Sequence, residues 1–315
     1  MNDVLSMLNS LGTRNLWMAW TDARKQDVKL ARRQKEGAML KMPDQVYAKV
    51  DAVVVFRQLG VKVQMDTVGL EDYYEWLDRT ASTIGLRVGG ARVVEKTDAR
   101  VSPPLNTAIY YDTPDYRILP TGALIRTSCN AITHAFCAFK DAENDQGVRE
   151  DHRYVFQGDE KQLIQLAPSS EAAVAIVMRL LTRSDIVHPG TYLERSLGIR
   201  AWDLTPAISL EDLRYTFFVW LDGRDALRCS LDRYAVSNLR LPEGERPMGP
   251  LAEAEISIYP RIDSTTARDP RVVELITALQ EDLCREFGVS VTKEIKYQRS
   301  ARALGISSPL RPNRT

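Results

Sequence analysis

The chain has 315 residues, with 42 lysines and arginines balanced by 42 aspartates and glutamates, so its net formal charge is zero. The length allows one large domain or two modest ones, and the charge balance argues against a protein whose whole surface binds nucleic acid or a membrane. No apolar run approaches the roughly 20 residues of a membrane helix, and the N-terminus lacks a signal-peptide pattern, so we expect a cytoplasmic protein without a membrane partner.

Residues 1–42 are predicted to be an extension, residues 43–303 the main domain, and residues 304–315 a disordered tail. The basic segment at 22–37 favours a solvated helix face; the alternative is a contact for a protein partner or nucleic acid. A helix is predicted over 42–60, with Pro43 near its start and valines at helical spacing. A strand over 61–68 and a helix over 70–86 follow.

From about residue 92 the apolar pattern changes to a period of two, which predicts strands in ARVVEKTDARV, TAIYYDT, ALIRTSC, HAFCAFK and VREDHRYVF. A helix is predicted over 168–184, then strands in RYTFFVWLDG, ALRCSLDRYAV and AEAEISIYPR, and a helix over 270–287 between Asp269 and Gly288. No glycine-rich loop opens a helix, so a Rossmann or P-loop fold is excluded. The pattern predicts an α+β fold, a closed antiparallel β-barrel with helices packed outside.

Charged residues repeat on one face of these strands. Arg126 lies on the same face as Leu124, and Lys140 on the same face as Phe136, because alternate strand residues point to the same side. The same spacing groups Arg149, Asp151 and Arg153, and groups Glu253 with Glu255. A solvent-facing side is the simpler interpretation for any one strand, but the repetition on about five strands favours a charged barrel interior.

Buried charges must pair with each other, with a metal ion or with an anionic ligand. Lysines and arginines bind phosphate oxygens, and two carboxylates two residues apart suit Mg²⁺ or Mn²⁺. The interior is therefore predicted to be a tunnel that holds a metal-bound polyphosphate chain.

The segment YYDTPDYRILPTGALIR, 110–126, resembles the Tyr-Phe-Asp-Thr-Pro-Asp hairpin and arginine strand of the CYTH superfamily, the triphosphate tunnel metalloenzymes. FCAFK, VREDHR, SLDRYAV with Asp232, AEAEIS and TKEIKYQR with Lys296, Tyr297 and Arg299 resemble further motifs of that family in the same order. The resemblance covers about residues 61–300. It implies kinship with class IV adenylate cyclases, thiamine and inorganic triphosphatases and, more distantly, RNA triphosphatases and polyphosphate polymerase domains.

The residue pattern and the resemblance together assign the candidate site. Catalytic roles fall to Glu253, Glu255 and Lys140. Phosphate binding is assigned to Arg126, Lys140, Arg149, Arg153, Arg214 and Lys296. Mg²⁺ or Mn²⁺ is assigned to Glu253, Glu255, Gln64 and Asp66.

One family feature is missing. The family's first strand carries Glu-x-Glu-x-Lys, whereas the nearest segment here is Lys62-Val63-Gln64-Met65-Asp66. A glutamine offers a metal only a neutral oxygen, so we expect lower metal affinity. Ser128 also stands where a second basic residue is often found.

Three hypotheses follow. The first is a metal-dependent phosphohydrolase or phosphotransferase acting on a triphosphate-containing substrate, either a triphosphatase-like hydrolase or an adenylate-cyclase-like lyase. The second is a weakened tunnel that binds nucleotide, polyphosphate or a 5′-triphosphate RNA end without turnover, or a polyphosphate polymerase. The third is a structural protein that binds a protein partner through residues 1–42.

Overall fold

The computed structural model describes residues 53–96, 98–145, 147–242, 248–259 and 266–307. Ten strands in this part of the chain form one sheet: β1 (Val54–Gln58), β2 (Gly60–Gln64), β3 (Ala91–Glu95), β4 (Leu105–Asp112), β5 (Leu124–Asn130), β6 (Ala135–Lys140), β7 (Arg149–Val155), β8 (Thr205–Leu221), β9 (Arg224–Asn238) and β10 (Met248–Ile258). The α-helices are α1 (Leu70–Arg87), α2 (Gly158–Leu166), α3 (Glu171–Leu181), α4 (Pro189–Leu197), α5 (Pro270–Phe287) and α6 (Lys296–Ala303).

The two ends of the sheet are formed by one continuous segment of the chain. Neighbouring strands follow the order β1-β7-β6-β5-β4-β8-β9-β10-β2, and β3 pairs with the end of β8. Leu59 alone separates β1 from β2 along the chain, although these strands stand at opposite ends of the order. Because one continuous segment forms both ends, the antiparallel sheet is strongly curled around an interior. This confirms the predicted α+β barrel with helices outside.

Helices cover the outer face of the sheet in two groups. Helices α1 and α5 bury residues such as Trp76 and Leu279 against the second half of the sheet. Helices α2, α3 and α4 bury Val177 and Leu193 against β4–β7. The strands that these helices cover therefore have one apolar face packed against a helix layer, and their alternate residues line the interior.

One end of the interior is apolar and is covered by α6. Tyr110, Leu124 and Tyr234 point inward there and form a core with Tyr297 and Ala301 of this helix. The rings of Tyr110 and Tyr297 stack with centroids 4.9 Å apart. Helix α6 thus lies against the inner side of the barrel, where its polar residues reach the charged part of the interior.

Several predicted elements are confirmed, with shifted ends. Helix α1 matches the predicted 70–86, and α5 matches 270–287, with Asp269 accepting from the Arg271 N–H at 3.0 Å and Gly288 at φ 62°. Ser170 caps α3 by accepting from the Ala173 N–H at 3.2 Å. Caps and period-two patterns are local signals, which is why these elements could be found in the sequence.

Other predictions are wrong. The part of the predicted helix 42–60 that the structure describes contains β1, not a helix. The run Val53-Val54-Val55 is β-branched, and β1 gains hydrogen bonds from β7, far away in the chain. The predicted strand at 91–101 ends at Glu95, and helices α2, α4 and α6 were not predicted.

Residues 1–52, which include the predicted extension 1–42 and its basic segment, lie outside the described residues, as do 308–315 of the predicted tail. Those assignments stay predictions. Among the helices that the structure describes, none has both the length and the apolar composition that crossing a bilayer demands.

Candidate functional site

Three cationic side chains gather around one carboxylate on the inward faces of β5, β6 and β7. Lys140 is paired across the strands with Asp151, and its Nζ lies 3.1 Å from the Asp151 Oδ2. Arg153 donates to the same oxygen through Nε at 2.9 Å and Nη2 at 2.5 Å. Arg126 lies one strand further along, on β5. We call Arg126, Lys140, Asp151 and Arg153 the first basic cluster.

Positive charge is in excess in the first basic cluster. Burial lowers the pKa of Lys140, Asp151 raises it, and Arg126 and Arg153 lower it again, so that it falls to about 7 from its usual 10.5. Burial alone would raise the pKa of Asp151, but Lys140 and Arg153 bring it well below its ordinary value. Within this part of the described chain, the cations of the cluster thus outnumber the carboxylate of Asp151 that they contact or approach.

Arg126 is the member with the fewest partners. Its Nη1 donates to the Tyr110 hydroxyl at 3.5 Å, a long contact, and its Nε is buried without a hydrogen-bond partner among the described residues. Arg149 shares the inward face with Arg153, and burial lowers its pKa despite the opposing charges of Glu143, Glu255 and Asp151. An anion in the interior would satisfy both guanidinium groups.

A second cluster on β8, β9 and α6 is close to balanced. Arg214 donates to both oxygens of Asp232, at 2.8 and 2.7 Å, and Lys296 also donates to this carboxylate. Asp212 lies 3.5 Å from both Arg214 and Lys296. Burial raises the pKa of Asp232, yet Arg214 and Lys296 lower it well below its usual range, whereas burial and the repulsion of Asp232 raise the pKa of Asp212.

A third cluster surrounds Arg299 of α6. Its Nη2 donates to Asp66 at 2.8 and 3.0 Å, and its Nη1 donates to the Glu253 Oε2 at 3.2 Å. Gln64 donates its Nε2 to the Asp66 Oδ2 at 2.8 Å. The Arg299 side chain is fully buried. We call Arg299, Asp66, Glu253 and Gln64 the Arg299 cluster.

Glu255 has a different environment from Glu253. It is paired in register with Lys62 of β2, and among the described side chains none forms a hydrogen bond or ion pair with it. Burial raises the pKa of Glu255, but Arg228, Lys62 and Arg214 lower it to about 2. Glu255 is thus an ionised carboxylate inside the barrel, facing cations without being bound to them.

The predicted metal ligands are therefore not equivalent. Gln64 donates to Asp66, and Asp66 is in turn bound to Arg299, so both oxygens of Asp66 already have partners within the protein. Glu253 keeps one buried oxygen, Oε1, without a partner among the described residues, and Glu255 is ionised. No group of three histidine, cysteine or acidic residues in the described chain could hold a metal by itself. Two carboxylates fit an ion whose other ligands are phosphate oxygens and water.

The Tyr-Tyr-Asp-Thr-Pro-Asp segment anchors α6. Asp112 is fully buried, and its side chain accepts from the backbone N–H groups of Thr113, Ile118 and Leu119 at 2.7, 2.9 and 3.0 Å. The Tyr297 hydroxyl donates to the same carboxylate at 2.8 Å. The segment that carries the family resemblance therefore orients the helix that carries Lys296 and Arg299.

The structure brings most of the predicted residues into one barrel interior. Arg126, Lys140, Arg149 and Arg153 lie on one side, whereas Arg214 and Lys296 lie in the second cluster and Glu253 in the Arg299 cluster. Sequence reasoning gave no role to Asp212, Lys62 or Arg228. Strand parity was an available signal, because Asp212 shares a face with Arg214, and Arg228 shares one with Asp232.

Comparisons with solved structures found distant similarities. A putative adenylate cyclase from Bacillus halodurans aligns over 77% of this chain and 97% of its own, at 14% identity and a TM-score of 0.43. A putative adenylyl cyclase from Hippeastrum, reported to have a dominant triphosphatase activity, aligns over 80% and 100%, at 16% identity and a TM-score of 0.43. The RNA triphosphatase of S. pombe, in complex with the Spt5 CTD, aligns over 84% and 90%, at 11% identity and a TM-score of 0.26.

These three proteins are described as adenylate cyclases or triphosphatases, which are also the kinds of protein that the sequence resemblance implies. With TM-scores of 0.43 and below, the similarity is distant. No protein-family model matches the chain, and no curated protein matches it significantly.

Proposed function

We propose that the barrel interior binds the phosphate chain of a small-molecule triphosphate or of polyphosphate, and that the protein is a phosphohydrolase or phosphotransferase acting on that chain. The first basic cluster carries this proposal. Lys140 and Arg153 both contact the carboxylate of Asp151, Arg126 lies on the next strand, and the pKa of Lys140 falls to about 7 as a result of burial and of the neighbouring arginines. Such an excess of buried positive charge is what an anionic chain with several charges would neutralise.

The cations of this cluster suit the chemistry of phosphoryl transfer. Arg126 and Arg153 would bind non-bridging oxygens through guanidinium groups and stabilise charge that develops in the transition state. The amine of Lys140, with a pKa of about 7, exists partly without its proton at neutral pH. When an anionic chain binds, this amine would take up a proton and, as an ammonium group, neutralise charge that develops on the phosphate oxygens.

Glu253 and Glu255 are the residues that would hold Mg²⁺ or Mn²⁺. When bound, the ion would neutralise negative charge on the phosphate oxygens and make the phosphorus atom more open to attack. The protein's own contribution is to present Glu255 as an ionised carboxylate and the free Oε1 of Glu253.

Phosphate release from tripolyphosphate, ATP and GTP, with and without Mg²⁺ or Mn²⁺, tests this function. We expect release that is lost in Arg126→Gln and retained in Arg179→Gln, since Arg179 lies on α3 at the outer surface and pairs with Glu160. Activity that survives in the Glu253→Ala, Glu255→Ala double variant would exclude the metal role. Formation of long chains from ATP would identify a polymerase, and pyrophosphate with a cyclic nucleotide would identify a cyclase.

The Arg299 cluster favours a second candidate, a tunnel that binds the same ligands without turnover. Asp66 and one oxygen of Glu253 are already bound to a guanidinium, which leaves fewer carboxylates for catalytic metal ions. Calorimetric binding of tripolyphosphate, ATP or a 5′-triphosphate RNA end with no phosphate release under any metal would establish this alternative. Loss of a protein partner on deletion of residues 1–42, without any anion binding, would instead support a structural role.

A further inference from the structure

The Arg299 guanidinium occupies a position between two acidic side chains. One of its terminal nitrogens contacts both carboxylate oxygens of Asp66, and the other contacts Glu253. The same Nη2 also donates to the Ala252 carbonyl at 3.1 Å. The Arg299 side chain is 0% exposed and that of Glu253 is 1% exposed. Asp66 and Glu253 are therefore joined through a buried cation that belongs to the protein.

Asp66 has little capacity left for another ligand. Its Oδ1 accepts from the Ala252 N–H at 2.6 Å and from Arg299, and its Oδ2 accepts from Gln64 and from Arg299. Each carboxylate oxygen offers about two acceptor sites. A metal ion at Asp66 would have to displace a guanidinium that is held in place by α6, or remain beside it against charge repulsion.

We propose that Arg299 is a built-in cation that holds Asp66 and Glu253 in place of a metal ion, so that the protein without phosphate binds divalent cations only weakly. Gln64 is part of the same arrangement, because its amide donates a hydrogen bond to Asp66 where an additional carboxylate would bring a further negative charge. Both terminal nitrogens of the guanidinium are bound by these residues, and only the Glu253 Oε1 among the four carboxylate oxygens of Asp66 and Glu253 has no partner, which is too few oxygen ligands for Mg²⁺ or Mn²⁺.

The test is a titration of the full-length protein with Mn²⁺ alone, followed by the electron paramagnetic resonance signal of free Mn²⁺. We expect the wild-type protein to bind in the millimolar range. Arg299→Gln removes the charge and frees two carboxylates, so its affinity for Mn²⁺ should rise by at least about tenfold. The double variant Arg299→Gln, Glu253→Gln should return to the wild-type level, and Arg299→Lys, which retains a positive charge, should stay there.

Micromolar Mn²⁺ binding by the wild-type protein would overturn the proposal, and so would an unchanged affinity in Arg299→Gln. If circular dichroism shows that Arg299→Gln is unfolded, Arg299→Met, which keeps an apolar side-chain stem in the same space, replaces it with the same expectation. Because the titration contains no phosphate, its result does not depend on whether the barrel binds a phosphate chain. Failure of this inference and failure of the proposed function are therefore distinguishable.

Discussion

The first basic cluster and the Arg299 cluster lie in the same barrel but have opposite charge balances. In the first, Arg126, Lys140 and Arg153 surround one carboxylate, and Lys140 holds its proton less tightly than usual. In the Arg299 cluster, a single guanidinium lies between the carboxylates of Asp66 and Glu253, and all of their oxygens except the Glu253 Oε1 are bound. Among the described residues, the first basic cluster has more cations than carboxylates, which favours binding of an external anion, whereas both oxygens of Asp66 in the Arg299 cluster are bound within the protein.

The largest effect should come from removing cations from the first basic cluster. The double variant Arg126→Gln, Arg153→Gln should weaken tripolyphosphate binding by about 100-fold or more, since each charge-assisted hydrogen bond contributes roughly 1.5–3 kcal/mol. Isothermal titration calorimetry measures the change. Arg179→Gln together with Arg79→Gln, both at exposed surface ion pairs, is the matched control and should bind like the wild type. Equal losses in both double variants would mean that binding is a surface effect.

A pH series sharpens the comparison through Lys140. Its pKa of about 7 in the free protein should rise when phosphate binds, because an anion favours the charged amine. Binding at pH 8 should then take up a proton, and affinity should fall by up to about tenfold per pH unit above pH 7. Calorimetry in two buffers of different ionisation enthalpy measures the uptake.

Tripolyphosphate also titrates, so the quantity that matters is the difference between the wild-type protein and Lys140→Met. Identical proton uptake in the two proteins would contradict the low pKa of Lys140. Lys161→Met, outside the barrel on α2, serves as the control for loss of one lysine charge.

The smallest effect concerns the attachment of α6. Tyr297→Phe removes the hydroxyl that donates to Asp112 but keeps the ring stacked on Tyr110. The free energy of unfolding should fall by about 1–3 kcal/mol, because the buried Asp112 carboxylate loses a partner. Urea denaturation measures this loss. Phosphate affinity at the first basic cluster should change little, so a loss there as large as that of the arginine double variant would show that the clusters are not independent.

The period-two pattern was sufficient to predict the barrel and to identify which charges point inward. Arg126, Lys140 and Arg153 were found because strand parity is a local property that the sequence displays directly. Strand β1 was missed because its pairing with β7 is set by residues about a hundred positions away.

The pairing of the charges could not be predicted. Parity indicates that Glu253 faces inward but not that Arg299 of α6 reaches it, since this contact depends on how the helix enters the barrel. The Asp112 motif shows the same limit, because its similarity to a family hairpin did not reveal that it orients α6 through Tyr297. Local patterns identify the lining of a barrel, whereas its ion pairs depend on tertiary contacts.

The most direct test is a crystal structure of the protein with tripolyphosphate. The account predicts phosphate density inside the barrel, with oxygens at hydrogen-bond distance from the guanidinium groups of Arg126 and Arg153, and with Arg299 still bound to Asp66 and Glu253. Phosphate bound only on the outer surface, with Arg126 and Arg153 unoccupied in the interior, would contradict it.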